Sequence, residues 1–280
     1  MLNMEIKLAK SYGFCFGVKR AIKIAESATN AVTIGPLIHN NAEISRLKEN
    51  FNVTTLHDIH EAKGAPKAII RTHGIPKKDL EQLRADKAEV IDATCPYVTK
   101  PQEICEKMSR DGYEIVIFGD ANHPEVKGVA SYAIHGAIVV QSVAELEKAQ
   151  LKGQKIAVVS QTTRKINEFL EITHYLESRY KEVRVFNTIC NATFENQDAA
   201  KALAKESDVV IVIGGKNSSN TKQLHSICKE YCEDSFLVED ENDLDPIWFK
   251  NKHLCGVTAG ASTPDWIIEK IIGKISEIKV

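Results

Sequence analysis

The feature that most constrains this chain is a strand-cysteine-helix pattern that occurs three times. A β-rich stretch ends at a cysteine, and a helix-like stretch follows, at Cys15, Cys95 and Cys190. After the first of these, Val18 and Ile22 belong to an apolar stripe with helical spacing. A supersecondary unit that recurs at long intervals predicts several similar substructures within one chain.

Each predicted helix is followed by an apolar strand that ends in a glycine and a polar loop. These glycines lie 20, 24 and 24 residues after the three cysteines, at Gly35, Gly119 and Gly214. A second strand with a polar loop then follows in each third, in the segments RTHGIP, SQTT and TAGAS. Strands that alternate with helices predict parallel βαβ layers, in which ligands bind beyond the carboxyl ends of the strands.

We therefore predict an α/β fold of three similar α/β units with mainly parallel sheets, arranged about an approximate threefold axis. The predicted units are residues 1–94, 95–189 and 190–280, the last with an apolar C-terminal helix from Trp266 to Ile275. The third unit is one strand short, and we expect the N-terminal strand Ile6–Leu8 to complete its sheet.

The charge balance and the lack of long apolar runs exclude several kinds of partner. Lys and Arg total 36 and Asp and Glu total 38, which gives a net charge of −2 and disfavours electrostatic binding of nucleic acid or membrane. The longest aliphatic run, Val209–Ile213, is too short to span a bilayer, and the first ten residues lack an apolar signal core. We expect a cytoplasmic protein with neither nucleic acid nor membrane as a partner.

The cysteines divide into two groups. None of the seven is spaced C-x-x-C, and four have no place in the repeat, so we expect packing roles for Cys105, Cys228, Cys232 and Cys255. The three repeated cysteines each precede a helix, whose N-terminus favours the thiolate. Three converging thiolates suit zinc or an iron–sulfur cluster. Structural zinc prefers a fourth protein ligand, whereas a cubane cluster with three cysteines leaves one iron open for substrate.

The strand-end loops carry hydrogen-bond donors suited to a small anion. Three loops contain a histidine, one loop contains a Ser-Ser-Asn run, and two contain a hydroxyl residue at equivalent positions. These residues are His39, His73, His123, Ser218, Ser219, Asn220, Thr162 and Ser262. Lysine and arginine are few in these loops, and neither a P-loop nor a G-x-G-x-x-G fingerprint is present. The set predicts a phosphate or diphosphate bound in a closed pocket.

Glu125 is the predicted proton donor. It follows a strand and lies two residues after His123 in the segment NHPEVKG. An anionic phosphate in the same pocket would raise the pKa of this carboxyl and favour its protonated form.

Two other functions fit part of the pattern. A zinc- or iron-dependent phosphate-ester hydrolase would use His39, His73 and His123 as metal ligands. An iron–sulfur redox sensor would use the three repeated cysteines, although the sequence has no basic helix-turn-helix region as an output.

The motifs together resemble those of the LytB family, the 4-hydroxy-3-methylbut-2-enyl diphosphate reductases, over about residues 12–266. The matching segments are GFCFGVKRA, GPLIHN, RTHGIP, DATCPYVTK, NHPEVKG, SQTT, NTICNAT, GGKNSSNT and TAGASTPDW. The resemblance implies the last enzyme of the non-mevalonate isoprenoid pathway. That enzyme removes the hydroxyl of an allylic diphosphate with two electrons and two protons, and forms isopentenyl and dimethylallyl diphosphates.

The resemblance also implies a trefoil fold and a role for each matching residue. Cys15, Cys95 and Cys190 would hold a [4Fe-4S] cluster with one open iron, Thr162 would lie near the substrate hydroxyl, and Glu125 would be the acid. The implied diphosphate-binding residues are His39, His73, His123, Ser218, Ser219, Asn220 and Ser262. The implied electron donor is a small ferredoxin or flavodoxin.

Two positions depart from the family's pattern. Phe16 stands where many members have alanine, and Asn196 stands where arginine commonly precedes Gln197. Both lie beside predicted cluster ligands, so we expect them to adjust the shielding of the cluster or the contacts of a helix.

Overall fold

The structure, a computed structural model, describes residues 4–86 and 89–278. The strands in this part of the chain are β1 Glu5–Leu8, β2 Val32–Ile34, β3 Thr54–Leu56, β4 Lys67–Ile70, β5 Glu89–Asp92, β6 Glu114–Phe118, β7 Ala137–Val140, β8 Lys155–Ser160, β9 Glu182–Val185, β10 Val209–Ile213, β11 Ser235–Val238 and β12 Leu254–Ala259. The helices are α1 Phe16–Ser27, α2 Asn41–Phe51, α3 Lys77–Ala85, α4 Pro96–Arg110, α5 Pro124–Ala130, α6 Val143–Lys148, α7 Ile166–Glu177, α8 Asn191–Ala204, α9 Ser219–Tyr231 and α10 Asp265–Glu277. Short 3₁₀ helices cover Ile59–Ala62, Glu241–Asp243 and Pro246–Phe249.

The strands form three four-stranded sheets, and every strand pair in them is parallel. The strand orders are β3-β2-β4-β5, β7-β6-β8-β9 and β1-β12-β10-β11. The predicted α/β class with parallel sheets is confirmed. The N-terminal strand lies beside β12, with Ile6 opposite Cys255, so the prediction that it completes the third sheet is also confirmed.

The three sheets share one backbone hydrogen-bonding pattern. In each sheet the glycine after a central strand donates its N–H to the carbonyl of the last residue of the adjacent edge strand. These bonds run from Gly35 to Leu56 at 2.7 Å, from Gly119 to Val140 at 2.9 Å and from Gly214 to Val238 at 2.9 Å. The repeat read from the sequence therefore extends to individual hydrogen bonds.

The central strands are buried on both faces, as parallel sheets require. In β10 every residue is fully buried. Alternate residues of the strand pack into two different apolar clusters. Val209, Ile211 and Ile213 share one cluster with Ile271 of α10, and Val210 and Val212 share the other with Leu224 of α9. The strand's uniform aliphatic sequence thus reflects helices on both faces.

The chain divides into two compact units. The terminal unit comprises Met1–Lys19, His39–Glu43 and Asn191–Val280, and contains the third sheet. The central unit comprises Arg20–Ile38 and Ile44–Cys190, and contains the other two sheets. The boundaries predicted after residues 94 and 189 stay a prediction. Among residues 4–86 and 89–278, no helix is both long enough and apolar enough to cross a membrane.

Candidate active site

The three repeated cysteines occupy equivalent backbone positions. Each donates its N–H to a carbonyl in the loop that follows a neighbouring strand of its sheet. The acceptors are Ala261 for Cys15 at 3.2 Å, Thr72 for Cys95 at 3.0 Å and Thr162 for Cys190 at 3.0 Å. Each cysteine is half-buried and directly precedes a helix, namely α1, α4 or α8. The local fold therefore places all three thiols in the same position, between a strand and the start of a helix.

The other four cysteines differ in environment. Cys105, Cys228, Cys232 and Cys255 are all buried in apolar surroundings. Burial raises the pKa of Cys105, Cys228 and Cys255 to about 12, which keeps these thiols protonated. The packing role predicted for these four cysteines is confirmed. The three repeated cysteines remain the candidates for binding a metal through sulfur.

Glu125 and Thr162 form a closely bonded buried pair in the central unit. The Thr162 N–H donates to Glu125 Oε1 at 2.7 Å, and Thr162 Oγ1 donates to Oε2 at 2.7 Å. Glu125 is 2% exposed, and burial raises the pKa of its carboxyl, although the two bonds from Thr162 act in the opposite direction. The Thr162 carbonyl also accepts the Cys190 N–H, so one residue joins the acid to a predicted cluster ligand.

Two of the predicted histidines lie close together in the central unit. His123 is the N-cap of α5, and its Nδ1 accepts the Glu125 N–H at 3.2 Å. An Nδ1 that accepts a hydrogen bond places the proton of a neutral ring on Nε2. The His73 ring lies edge-on to the His123 ring with centroids 5.5 Å apart, and its Nδ1 is 3.4 Å from Thr72 Oγ1.

The Ser-Ser-Asn run begins α9 in the terminal unit. Ser218 is the N-cap, and its Oγ accepts the Thr221 N–H at 3.3 Å. Ser219 and Asn220 are the first two residues of the helix, where backbone N–H groups have no intrahelical partner. Asn220 is 6% exposed, and both Oδ1 and Nδ2 lack a hydrogen-bond partner within the described part of the chain. Such a buried amide suits a ligand with both acceptor and donor atoms.

His39 and Ser262 also lie together in the terminal unit. Ser262 Oγ donates to the His39 carbonyl at 3.3 Å. Gly215, in the loop before α9, approaches the same carbonyl so closely that a Cβ there would lie 2.5 Å from the oxygen. The glycine is therefore required for the histidine loop to contact the loop that leads into the Ser-Ser-Asn run.

The sequence interpretation missed two residues that hold the Cys190 loop. Thr188 Oγ1 donates to the Ser160 carbonyl at 2.5 Å and accepts the Ser160 N–H at 2.8 Å. These bonds fix the NTIC segment to the end of β8, two residues before Thr162. A threonine two residues before a predicted ligand was the only local signal, and it does not identify its partner.

Comparison with known proteins gives one consistent result. The family model described as "LytB protein" matches residues 6–276. A protein of Campylobacter concisus strain 13826, named 4-hydroxy-3-methylbut-2-enyl diphosphate reductase, is 64% identical, with 98% of this chain and 100% of the relative covered. A Nitratiruptor protein of the same name is also 64% identical, with 99% and 100% covered.

Two solved structures are similar along nearly the whole chain. One is the (E)-4-hydroxy-3-methyl-but-2-enyl diphosphate reductase described as the terminal enzyme of the non-mevalonate pathway. It has 43% identity and a TM-score of 0.71, with 99% of this chain and 100% of that chain covered. The other is the E-1-hydroxy-2-methyl-but-2-enyl-4-diphosphate reductase from Plasmodium falciparum, with 27% identity, a TM-score of 0.90 and 97% and 87% covered. The family match and the full-length relatives place this chain in the LytB protein family.

Proposed function

We propose that this chain reduces 4-hydroxy-3-methylbut-2-enyl diphosphate to isopentenyl and dimethylallyl diphosphates. The substrate takes up two electrons and two protons, its C–O bond breaks, and the oxygen leaves as water. The observation that carries the proposal is the buried Glu125–Thr162 pair bonded to Cys190, in a chain whose relatives bear this enzyme name. We place the reaction in the cytoplasm, with electrons from a small ferredoxin or flavodoxin.

We propose that Cys15, Cys95 and Cys190 hold a [4Fe-4S] cluster with one iron left open. Their shared backbone position, partial burial and helix-terminus location support this ligand set. When bound, such a cluster supplies the electrons and a Lewis acid for the departing oxygen. The chain's remaining site residues bind the diphosphate and deliver protons.

We propose that the diphosphate is bound by hydrogen-bond donors of the loops that follow the strands. The proposed residues are His39, His73, His123, Ser218, Ser219, Asn220 and Ser262. Support comes from the buried amide of Asn220, which has no hydrogen-bond partner among the described residues, from the N–H groups at the start of α9 and from the Nε2 proton that the His123 tautomer implies. Few cationic side chains are involved, so orientation by directed hydrogen bonds dominates over charge.

We propose that Glu125 stores the proton and that Thr162 passes it on. Burial raises the pKa of the Glu125 carboxyl, so the side chain holds its proton to a higher pH than an exposed glutamate does. A hydroxyl both accepts and donates, so Thr162 Oγ1 can take the acid's proton and release its own to the departing oxygen. The 2.7 Å contact between the two side chains is short enough for this transfer.

Anaerobic iron and sulfide analysis tests the cofactor and the reaction class together. We expect about four of each per chain in the wild-type protein and in Cys105→Ala, and loss of both in Cys190→Ser. Turnover of the diphosphate with excess reduced methyl viologen should give both products. Zinc without sulfide would instead support the hydrolase, and an intact cluster without turnover would support the redox sensor.

A further inference from the structure

We propose that the exposed surface around Cys15 docks an acidic one-electron carrier protein of the ferredoxin type. We define this docking surface by Lys10, Tyr12, Phe16 and Lys19, which all belong to the terminal unit. The inference rests on the proposed cluster at Cys15, and adds where its electrons enter.

The docking surface has exposed aromatic residues on both sides of the predicted ligand. Phe16, the residue after Cys15, is 65% exposed, although burying a large apolar side chain away from water lowers the free energy. Tyr12 lies three residues before Cys15 and is 36% exposed. Aromatic residues are enriched in protein interfaces, where they supply contact area at low cost in conformational entropy.

The docking surface also carries positive charge that no acidic side chain among the described residues neutralises through an ion pair. Lys10 and Lys19 are exposed, and neither forms an ion pair within residues 4–86 and 89–278. The nearby lysine Lys7, by contrast, pairs with Glu206 at 2.8 Å. The Asp265 carboxylate lies beside Gly13 without an ion pair to either free lysine. The net charge of the chain is −2, so two exposed lysines this close to Cys15 in the sequence are a local excess of positive charge.

This combination favours an acidic electron carrier over other partners. Phe16 is bonded to Cys15 through one peptide bond, so a partner that covers it comes close to the proposed cluster. Redox encounters use small interfaces, for which one or two aromatic contacts and a few charges are enough. A chain with a net negative charge repels an acidic partner at long range, and two unpaired lysines steer that partner to one place. Nucleic acid would require many more cations than this surface offers.

Direct binding of a small acidic ferredoxin to the anaerobically reconstituted holoenzyme tests the proposal. The charge variant is Lys10→Glu with Lys19→Glu, and the aromatic variant is Phe16→Ala. A matched control is Lys229→Glu with Lys250→Glu, two exposed lysines of the same compact unit that form no ion pair in the described part of the chain. Calorimetry at low and high salt gives the affinity, and turnover is measured with reduced ferredoxin and with reduced methyl viologen.

We expect the charge variant to weaken ferredoxin binding about tenfold or more at low salt, and to lose most of the salt dependence. Phe16→Ala should weaken binding about three- to tenfold at both salt concentrations, while the control stays within about twofold. Turnover with methyl viologen should be unchanged in the charge variant and in the control. Wild-type affinity in the charge variant, or an equal loss in the control, would overturn the docking surface.

The same samples separate this proposal from the proposed function. Iron and sulfide content is measured on each, so loss of the cluster is seen independently of binding. If the wild-type chain holds a cluster and turns over with methyl viologen but does not bind ferredoxin, the reductase stands and the docking proposal fails. If the affected partner is a flavodoxin, or if a second copy of this chain occupies the surface, the ferredoxin assignment also fails.

Discussion

The two compact units differ in whether the hydrogen bonds of their predicted site residues are already formed within the protein. In the central unit both oxygens of Glu125 accept hydrogen bonds from Thr162, and folding alone provides them. In the terminal unit Asn220 is buried with neither amide atom bonded within the described residues. Under the proposed function, the contrast means that folding alone provides the hydrogen bonds of the proton donor, whereas those of the diphosphate-binding amide form only with the ligand.

The physical reason lies in the cost of leaving buried polar groups unbonded, about 1–3 kcal/mol for each group. A carboxyl that must hold a proton in a site from which water is excluded needs hydrogen-bond partners in fixed positions, because its pKa and its position would otherwise both vary. An amide that must bind a diphosphate loses affinity if the protein already satisfies it. Under the proposed function, the terminal unit therefore carries an energetic cost that substrate binding removes.

Glu125→Gln should give the largest effect on turnover. It removes the proposed proton donor of the central unit and leaves the structure of that unit intact. The amide can keep both contacts with Thr162, so the fold should be unchanged, but it carries no acidic proton. We expect turnover with saturating reductant to fall by about 10²- to 10⁴-fold, with little change in KM. Turnover near that of wild type would show that the acid is another group.

Thr162→Val tests whether the hydrogen bond from the Thr162 hydroxyl to Glu125 stabilises the fold. Valine keeps the shape but leaves Glu125 Oε2 without its hydroxyl donor, so we expect a loss of about 1–3 kcal/mol in the free energy of unfolding. Denaturant titration measures this loss. Thr162→Ser restores the hydroxyl and should recover most of the stability, and an unchanged midpoint in the valine variant would contradict the comparison.

Asn220→Ala tests the opposite expectation in the terminal unit. Removing an unbonded buried amide should leave the free energy of unfolding unchanged or slightly increased. Substrate binding loses hydrogen bonds worth about 1 kcal/mol or more, so we expect KM to rise roughly fivefold or more. Steady-state kinetics and denaturant titration on one sample check both. A stability loss as large as that of Thr162→Val would remove the distinction between the units.

The pH dependence should give the smallest effect. Burial raises the pKa of Glu125 above its ordinary value of about 4.5, so the folded state binds this proton more tightly than the unfolded state. Its contribution to stability is therefore present at low pH and is lost as pH rises through the raised pKa. Turnover should fall over the same interval. Glu125→Gln, compared with wild type across pH, should lack this component of the stability profile.

Much of the fold was predictable because its signals are local. The aliphatic strands, the glycines after them and the cysteine before each helix are read within a few residues, and the carboxyl ends of parallel strands collect the loops. The bonds between Thr188 and Ser160 join residues 28 apart and left no such signal. Neither amide atom of Asn220 has a hydrogen-bond partner among the described residues. This depends on side chains from distant parts of the sequence, so no local pattern indicates it.

The departure at Asn196 shows the same limit. The sequence marked it as unusual and predicted an effect on shielding or on helix contacts. The structure places its Oδ1 2.6 Å from Ser11 Oγ, which donates to it from the loop before Cys15. A helix residue thus supports the loop that carries a predicted ligand 181 positions away, and nothing in the local pattern around Asn196 indicates that partner.

The pairing of β1 with β12 has a consequence for synthesis on the ribosome. Strand β1, Glu5–Leu8, is made long before its partner Leu254–Ala259 and cannot pair with it until that strand has been made. The segments of the central unit are all translated before that strand, so its two sheets can form while synthesis continues. Until β12 emerges, the partner edge of β1 is open to other nascent chains, and the third sheet closes only after β12 has been made.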